Sequence, residues 1–483
     1  MKLSSFKKKW PNSKNTSKKK WPKKVPVAPL PVKMIKQKEK ITKSAKEISS
    51  IASEVLGKNI KITEEFKKAF DAMENTNELI FLTGRAGTGK STLLKYFRSQ
   101  TKKKHVVLAP TGVAALNVKG QTIHSFFGFH PRIEKSLVRR AYPDNLEFFE
   151  KIETIVIDEI SMVRADLLDC VDKALRLNRG CPDQIFGGVQ MIFIGDLFQL
   201  PPVVTKEDQY KFEGEYTSPY FFSSDCMMNA SINIIELHTV HRQKEKNFVE
   251  LLNNVRCGAI KSADREKWNK YHDPHFDPAN TSDYVVHLTT TNKMAKERND
   301  FELKKLKGKE FTLKAQSIGE LGERKMPSDE TIKIKEGARV MFTTNDPGKN
   351  WVNGSLGIVR KIKSKGLKKY PILEVELENG QRVEVSQHKW EIFEYKLRGS
   401  SFEEETIGSY SQYPIALAWA VTIHKAQGKT FDKVLVDVGW GAFAHGQMYV
   451  ALSRCTKLAG ITLLKPFKPS DVIVDKVVLD FMS

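Results

Sequence analysis

The sequence predicts an α/β protein with two parallel-sheet cores, a small β insertion in the second, and a disordered basic tail in front. Three observations predict it. At 483 residues the chain exceeds what one hydrophobic core supports, so several domains are expected. From about residue 60 onward, short apolar runs ending in Gly, Asp or Pro alternate with helical periodicity, the pattern of parallel α/β units. That pattern breaks over residues 331–400, where alternating segments are separated by Gly and Asn turns.

The tail comes first in the chain. Residues 1–50 hold 16 Lys and 2 Glu, a net of +14 out of +22 for the whole sequence. Lysine runs are spaced by Pro22, Pro26, Pro29 and Pro31, and KKKWP occurs twice, at Lys7–Pro11 and Lys18–Pro22, as the only internal repetition. So charged a segment cannot bury a core, so residues 1–58 are expected to be disordered when unbound and attractive to a polyanion. Trp10 and Trp21 could stack on bases of any sequence. No apolar run approaches the roughly 18 residues needed to cross a bilayer, and no apolar segment follows the basic N-terminus as in a secretory signal. A soluble, intracellular protein with no membrane partner is expected. Cys170, Cys181, Cys226, Cys257 and Cys455 lack CxxC spacing, which argues against a zinc ribbon or a disulfide framework.

The first core is placed at 59–230, with strands at Leu79–Leu82, Val106–Ala109, Ile155–Ile157 and Met191–Ile194. The second is placed at 231–330 and 401–483, with strands at Ile232–Leu237, Tyr284–Leu288, Val434–Val438 and Ile461–Leu464. Between its halves, Arg339–Phe342, Ile358–Ile362, Leu373–Leu377 and Arg382–Val385 predict a small β-barrel over 331–400. Residues 131–151 are where a small wedge hairpin could be inserted.

Gly84-Arg85-Ala86-Gly87-Thr88-Gly89-Lys90-Ser91 fits the phosphate-loop pattern, follows an apolar strand and leads through Thr92 into a helix. Small residues let backbone N–H groups face phosphates, the helix N-terminus adds positive potential, Lys90 reaches the β and γ oxygens, and Ser91 can ligate Mg²⁺. Thr154–Ile157 ends in Asp158-Glu159, which puts two carboxylates at the C-terminal edge of the same sheet. Asp158 is placed to hold Mg²⁺ through water, and Glu159 to polarise the attacking water of ATP hydrolysis.

Further blocks follow in order: Ala109–Ala115, Thr122–Phe126, Asp158–Met162, Gly195–Val203, His241-Arg242-Gln243, Thr422–Gly428 and Tyr449–Arg454. In order and spacing they resemble superfamily-one helicases of the RecD/Pif-one branch, over roughly residues 60 to 465. The resemblance implies two RecA-like cores and an SH3-like insertion, the latter on Gly337–Val340 and Val352–Gly357. It implies an ATP-dependent DNA helicase moving 5′ to 3′ on single-stranded DNA, engaging single-strand/duplex junctions, working as a monomer in DNA repair, replication and recombination. ATP and Mg²⁺ are the implied cofactors, with Gly428 added to the nucleotide contacts. Gln199 resembles a γ-phosphate sensor, and Arg242 and Arg454 resemble two arginines that reach the same phosphate from the second core. Pro110, Thr111, Gly112, His124, Ser125 and Phe126 look like first-core contacts to single-stranded DNA, with His424 and Lys425 as second-core counterparts. Two positions depart from the pattern: Phe66 stands where many relatives carry a glutamine that reads adenine, and Ala426 replaces a common serine, removing a hydroxyl contact.

Two other classes of function use parts of the same site: an ATP-gated clamp on nucleic acid, and an ATPase that acts on protein partners. A bacterial cytoplasm, beside the nucleoid, is the expected location, with a nucleus as the alternative because the tail's lysine clusters also suit a nuclear address.

Overall fold

The computed structural model describes residues 62–483, except 142, 279–280, 282–283, 320–325, 327, 364–369, 399–400 and 440. The expected tail, with its two KKKWP segments, lies outside the described residues.

Six parallel strands make the first sheet: β1 (Leu79–Gly84), β2 (His105–Ala109), β3 (Gln121–Thr122), β4 (Thr154–Ile157), β5 (Gln190–Ile194) and β6 (Ile232–Leu237), in the order β3-β2-β4-β5-β1-β6. Strand residues alternate between two apolar layers. Ile80, Leu82, Val107, Val156, Ile192 and Ile194 join Phe66, Leu93 and Phe97 on one face. Leu79, Phe81, Val106, Leu108, Ile155, Ile157 and Phe193 join Leu168, Val171 and Phe221 on the other. Both faces being covered explains why β1, β4 and β5 read as uninterrupted apolar runs.

Strand β6 corrects an expectation. The sequence places it in the second core, but it pairs in parallel with β1 through six residues, from Leu79↔Ile232 to Gly84↔Leu237. An apolar run reveals that a strand exists but not which sheet receives it. As an edge strand it leaves Asn233 and Ile234 partly open, while the interior strand β1 is buried throughout.

Four parallel strands make the second sheet: β7 (Val285–Thr289), β8 (Ala420–Thr422), β9 (Lys433–Asp437) and β10 (Ile461–Leu463), in the order β8-β7-β9-β10. The edge strand β8 has three residues and was not anticipated. The second core's apolar cluster takes in Phe248, Leu252 and Trp268 from the helices after β6, and also Ala86 and Leu200 of the first core. The two cores therefore share buried surface.

Between the helix Asn292–Lys305 and β8 lies an antiparallel region. Its five-stranded sheet runs Arg382–Val385, Ile372–Leu377, Leu356–Lys363, Arg339–Phe342, Ile415–Leu417. A second, three-stranded sheet is built on the hairpin His388–Arg398 and Ser401–Gln412, paired from His388↔Gln412 to Arg398↔Ser401, with Gln316–Gly319 at its side. The antiparallel strands thus extend from 311 to 417, beyond the expected 331–400 on both sides. Residues 131–151 contain a 3₁₀ turn, Lys135–Leu137, and a helix, Pro143–Lys151, in place of the expected hairpin.

The last helix, Lys476–Met482, also departs from expectation. It leaves the second core and packs Val478, Phe481 and Met482 into the first-core layer, where Phe481 stacks on Phe222 at 4.1 Å and 6°. Among the described residues no helix is long and apolar enough to cross a membrane.

Candidate active site

The C-terminal ends of the first sheet's strands converge on the phosphate loop. From β1 the chain turns through Gly84, Gly87 and Gly89, all at positive φ, into the helix Lys90–Gln100. Gly87 has a second reason to be glycine, since a Cβ there would lie 2.5 Å from Arg242 Cβ. Thr88 folds its hydroxyl back onto Arg85 O at 2.9 Å, Ser91 is exposed, and Thr92 is half-buried. Lys90 Nζ donates to Gly84 O at 2.6 Å and Arg85 O at 3.2 Å. Burial lowers the Lys90 pKa, opposed by Asp196 and Glu159.

Strand β4 delivers Asp158 and Glu159 to this edge. Glu159 sits in the left-handed region at φ 53°, unusual for a residue with a side chain and common where a backbone is held for function. Burial, and then the neighbouring Glu159, raises Asp158 to about 7. Burial also raises Glu159, against the pull of Lys90 and Arg454. A third carboxylate arrives on the turn after β5: Asp196, fully buried and ion-paired to Arg256 at 3.1 Å. Burial alone would raise Asp196, but Arg256 and Lys90 hold it below the usual carboxylate range. Arg256 also lies 4.1 Å above the Phe198 ring.

Gln199 donates to Asp196 Oδ2 at 3.2 Å. Opposite it, Gln427 of the second core donates to Glu159 Oε2 at 3.1 Å and to Gln199 Oε1 at 3.4 Å. Other bonds cross the same cleft. Ala86 N donates to Tyr449 Oη at 3.0 Å, and His445 Nε2 bonds Leu197 O at 2.7 Å. Gly446 comes so close that a Cβ there would lie 2.3 Å from Gln199 O.

Arg454 is almost completely buried, with Nε on Val450 O at 2.9 Å, Nη2 on Ser453 Oγ at 2.8 Å and Nη1 on Lys429 O at 3.3 Å. Burial, then the adjacent Arg242, pulls its pKa down to about 9. Arg242 donates to Ser453 O at 3.2 Å and is likewise lowered by burial. Among the described residues neither guanidinium is hydrogen-bonded or ion-paired to a carboxylate, although Glu159 and Asp196 act on Arg454 at longer range. Arg242 corrects an expectation: it follows β6 of the first sheet, beside His241, whose N–H is bonded to Gly87 O at 2.8 Å. Only Arg454 comes from the second core.

The expected nucleic-acid contacts stand on matching turns at strand ends. Pro110 leads from β2 to Thr111, whose hydroxyl accepts from Ala114 N at 3.2 Å and starts the helix Gly112–Asn117. Thr122 caps the helix Ile123–Phe127 through Ser125 N at 3.1 Å, and Thr422 caps Ile423–Ala426 through Lys425 N at 3.2 Å. The two caps share a backbone, φ −75° with ψ 149° and 150°. His124 and His424 are half-buried, and burial lowers both below the usual histidine value. Lys425 is exposed, as is Gly428 at φ 77°. Phe126 packs against Phe127, Phe148 and Phe149 with centroids 4.8, 5.8 and 5.8 Å away, so much of its ring belongs to an aromatic layer.

Ala426 is fully buried, so a serine hydroxyl at this position would meet protein. Phe66 is buried in the first core, 5.7 Å from the Tyr96 ring. Asp196, Gln427 and Tyr449 lie inside blocks quoted from the sequence, but only geometry singles them out. For Asp196 a signal existed: it is an acidic residue one glycine beyond a core strand, much as Asp158 directly follows one.

Comparison with known proteins agrees with this geometry. Residues 61–266 match the model of the PIF1-like helicase family. The ATP-dependent DNA helicase Pif1 of Bdellovibrio bacteriovorus is 31% identical over 437 residues, covering 87% of this chain and 92% of its own. The ATP-dependent DNA helicase PIF1 of Emericella nidulans is 30% identical over 86% of this chain, which spans 62% of that longer protein. Pif1 from Bacteroides sp., 34% identical, superposes with a TM-score of 0.79 in its complex with ADP-AlF4, over 88% of this chain and 96% of that one. Bacteroides Pif1 bound to ssDNA superposes with a TM-score of 0.63. The chain belongs to the family of Pif1-like ATP-dependent DNA helicases.

Proposed function

We propose that this chain hydrolyses ATP at the cleft between its two parallel-sheet cores and converts opening and closing of the cleft into 5′ to 3′ movement on single-stranded DNA, separating duplex at junctions. One observation carries the reading. Glu159, Gln199 and Gln427 form a hydrogen-bonded bridge between the cores, flanked by the buried guanidinium of Arg454 and the half-buried one of Arg242, neither of them ion-paired to a carboxylate among the described residues. A γ-phosphate is the anion that suits them, because its developing charge is stabilised by cations already in place.

In this reading Lys90 exchanges its loop carbonyls for phosphate oxygens, and Glu159, its acidity weakened by burial, takes the proton side of the attacking water. Gln199 and Gln427 pass the state of that site to the second core. Arg242 and Arg454 hold the transferring phosphoryl group. Asp158 and Ser91 offer the oxygen donors that Mg²⁺ prefers, and a cation would favour the charged form of a carboxyl held at about 7. When bound, Mg²⁺ neutralises phosphate charge. Pro110, Thr111, Gly112, His124, Ser125, His424 and Lys425 stand on the turns that would meet sugar and phosphate regardless of base, with half-buried Phe126 beside them. The enzyme acts as a monomer, at the nucleoid or in a nucleus.

ATP turnover with and without an oligonucleotide is the first test: a protein-remodelling ATPase would show no stimulation by DNA. Duplexes carrying one 5′ or one 3′ tail then separate the motor from a clamp. Unwinding of the 5′-tailed duplex is expected, and unwinding of the 3′-tailed duplex alone would refute the polarity.

A further inference from the structure

Lys429 follows Gly428 directly, and its side chain takes no part in the Glu159–Gln199–Gln427 bridge. Its ammonium bonds Asn353 Oδ1 in the antiparallel region. Asn353 Nδ2 in turn donates to Asn117 Oδ1 at 3.0 Å, and Asn353 N donates to Asn345 Oδ1 at 2.7 Å. Three parts of the molecule meet here. Asn117 ends the first-core helix that Thr111 begins, Asn353 belongs to the insertion, and Lys429 belongs to the second core.

The lysine stem lies along Gly354, where a Cβ would stand 3.5, 3.6 and 3.8 Å from Lys429 Cβ, Cγ and Cδ, which is ordinary contact. Burial pulls the ammonium down to about 8. A cation so placed costs desolvation that a neutral side chain would not, so its anchoring bond is the reason to look for a role. At its backbone, Lys429 O accepts from Arg454 Nη1 at 3.3 Å. The other acceptors of that guanidinium, Val450 O and Ser453 Oγ, belong to its own segment. Among the described residues Lys429 O is therefore the one acceptor outside residues 450–453 that orients Arg454.

We infer that Lys429 is a positioning residue for ATP hydrolysis: its ammonium, seated on Asn353 and through it on Asn117, fixes the carbonyl that aims Arg454. The inference rests on the hydrolysis reading above. It also makes the insertion part of the ATP site, since the seat of the lysine is an insertion side chain.

DNA-stimulated ATP turnover of the full chain tests it, with kcat and KM measured separately. Lys429→Met keeps the stem and removes the charge; it should lower kcat about tenfold while the KM for ATP changes less than twofold. Asn353→Ala should lose a similar factor, and the double variant no more than the larger single loss, because both cut one chain of contacts. Lys429→Arg should recover at least half of the turnover. Thermal unfolding of each variant, expected within a few degrees of wild type, separates a positioning role from a folding defect. Wild-type turnover in Lys429→Met, losses that multiply in the double variant, or a rise in DNA-free turnover would each overturn the inference. A wild-type chain without ATPase activity would overturn the hydrolysis reading itself, and this inference with it.

Discussion

In the proposed reading Lys90, at the start of the helix after the phosphate loop, and Glu159, at the end of β4, act on one phosphate, and their removal should differ in kind. Lys90→Ala should weaken ATP binding and turnover together, because the ammonium contacts phosphate before and during transfer. Glu159→Gln should bind ATP nearly as well but lose most turnover; near-normal hydrolysis there would remove Glu159 from its role. For Arg242 and Arg454, Ala substitution should cost on the order of 10³ in kcat, as arginine fingers do. A loss below about tenfold in both would reduce them to structural charges. Much of this site was legible in the sequence, because a phosphate loop and an Asp-Glu strand end each carry their chemistry within a few consecutive residues. Gln427 was not, since what marks it is a bond to Glu159, 268 positions away. Nor did its block tell that Ala426 points into the core.

Elements were read well where both faces of a strand are covered, and less well at edges. β1, β4 and β5 announce themselves as apolar runs, whereas β3 and β8, two and three residues long, have too few positions to show any period. β6 was visible but misplaced, because sheet membership is settled by the pairing Leu79↔Ile232 and not by composition. The hairpin His388–Gln412 was missed although Trp390, Ile392 and Tyr410 alternate with polar residues; its pairing is regular except for one irregularity between Ile392 and Phe393. The last helix offers a test at this scale. Phe481→Ala removes the ring stacked on Phe222 and should cost about 2 kcal/mol of stability, less than the roughly 3–5 of a fully enclosed Phe because Phe481 is only partly buried. Urea unfolding would measure it, and an unchanged midpoint would mean that the helix is not docked in solution.

For the whole molecule, charge divides the chain unevenly, with a net of +14 in residues 1–50. Each single-strand phosphate that is neutralised releases counterions with a slope of about −0.7, so five tail contacts would visibly steepen the salt dependence of binding. Deleting residues 1–50 should therefore lower DNA affinity equally for all base sequences, flatten the plot of log affinity against log salt, and leave saturated ATP turnover nearly intact. Replacing Trp10 and Trp21 with Ala should weaken binding without flattening that plot, since stacking depends less on salt. Unchanged affinity and slope after the deletion would assign the tail to something other than DNA. The course of the backbone between the cores has a consequence of its own. The chain passes from first to second after β6, through His238–Glu245, and returns after β10 to dock Val478 and Phe481 beside Phe221 and Phe222. The second core is thus held to the first by one crossing of the chain and one docked end, besides the bonds that span the cleft. In the proposed motor the docked end would help set how the cores turn, so removing residues 476–483 should loosen the stroke before it weakens the grip on nucleotide.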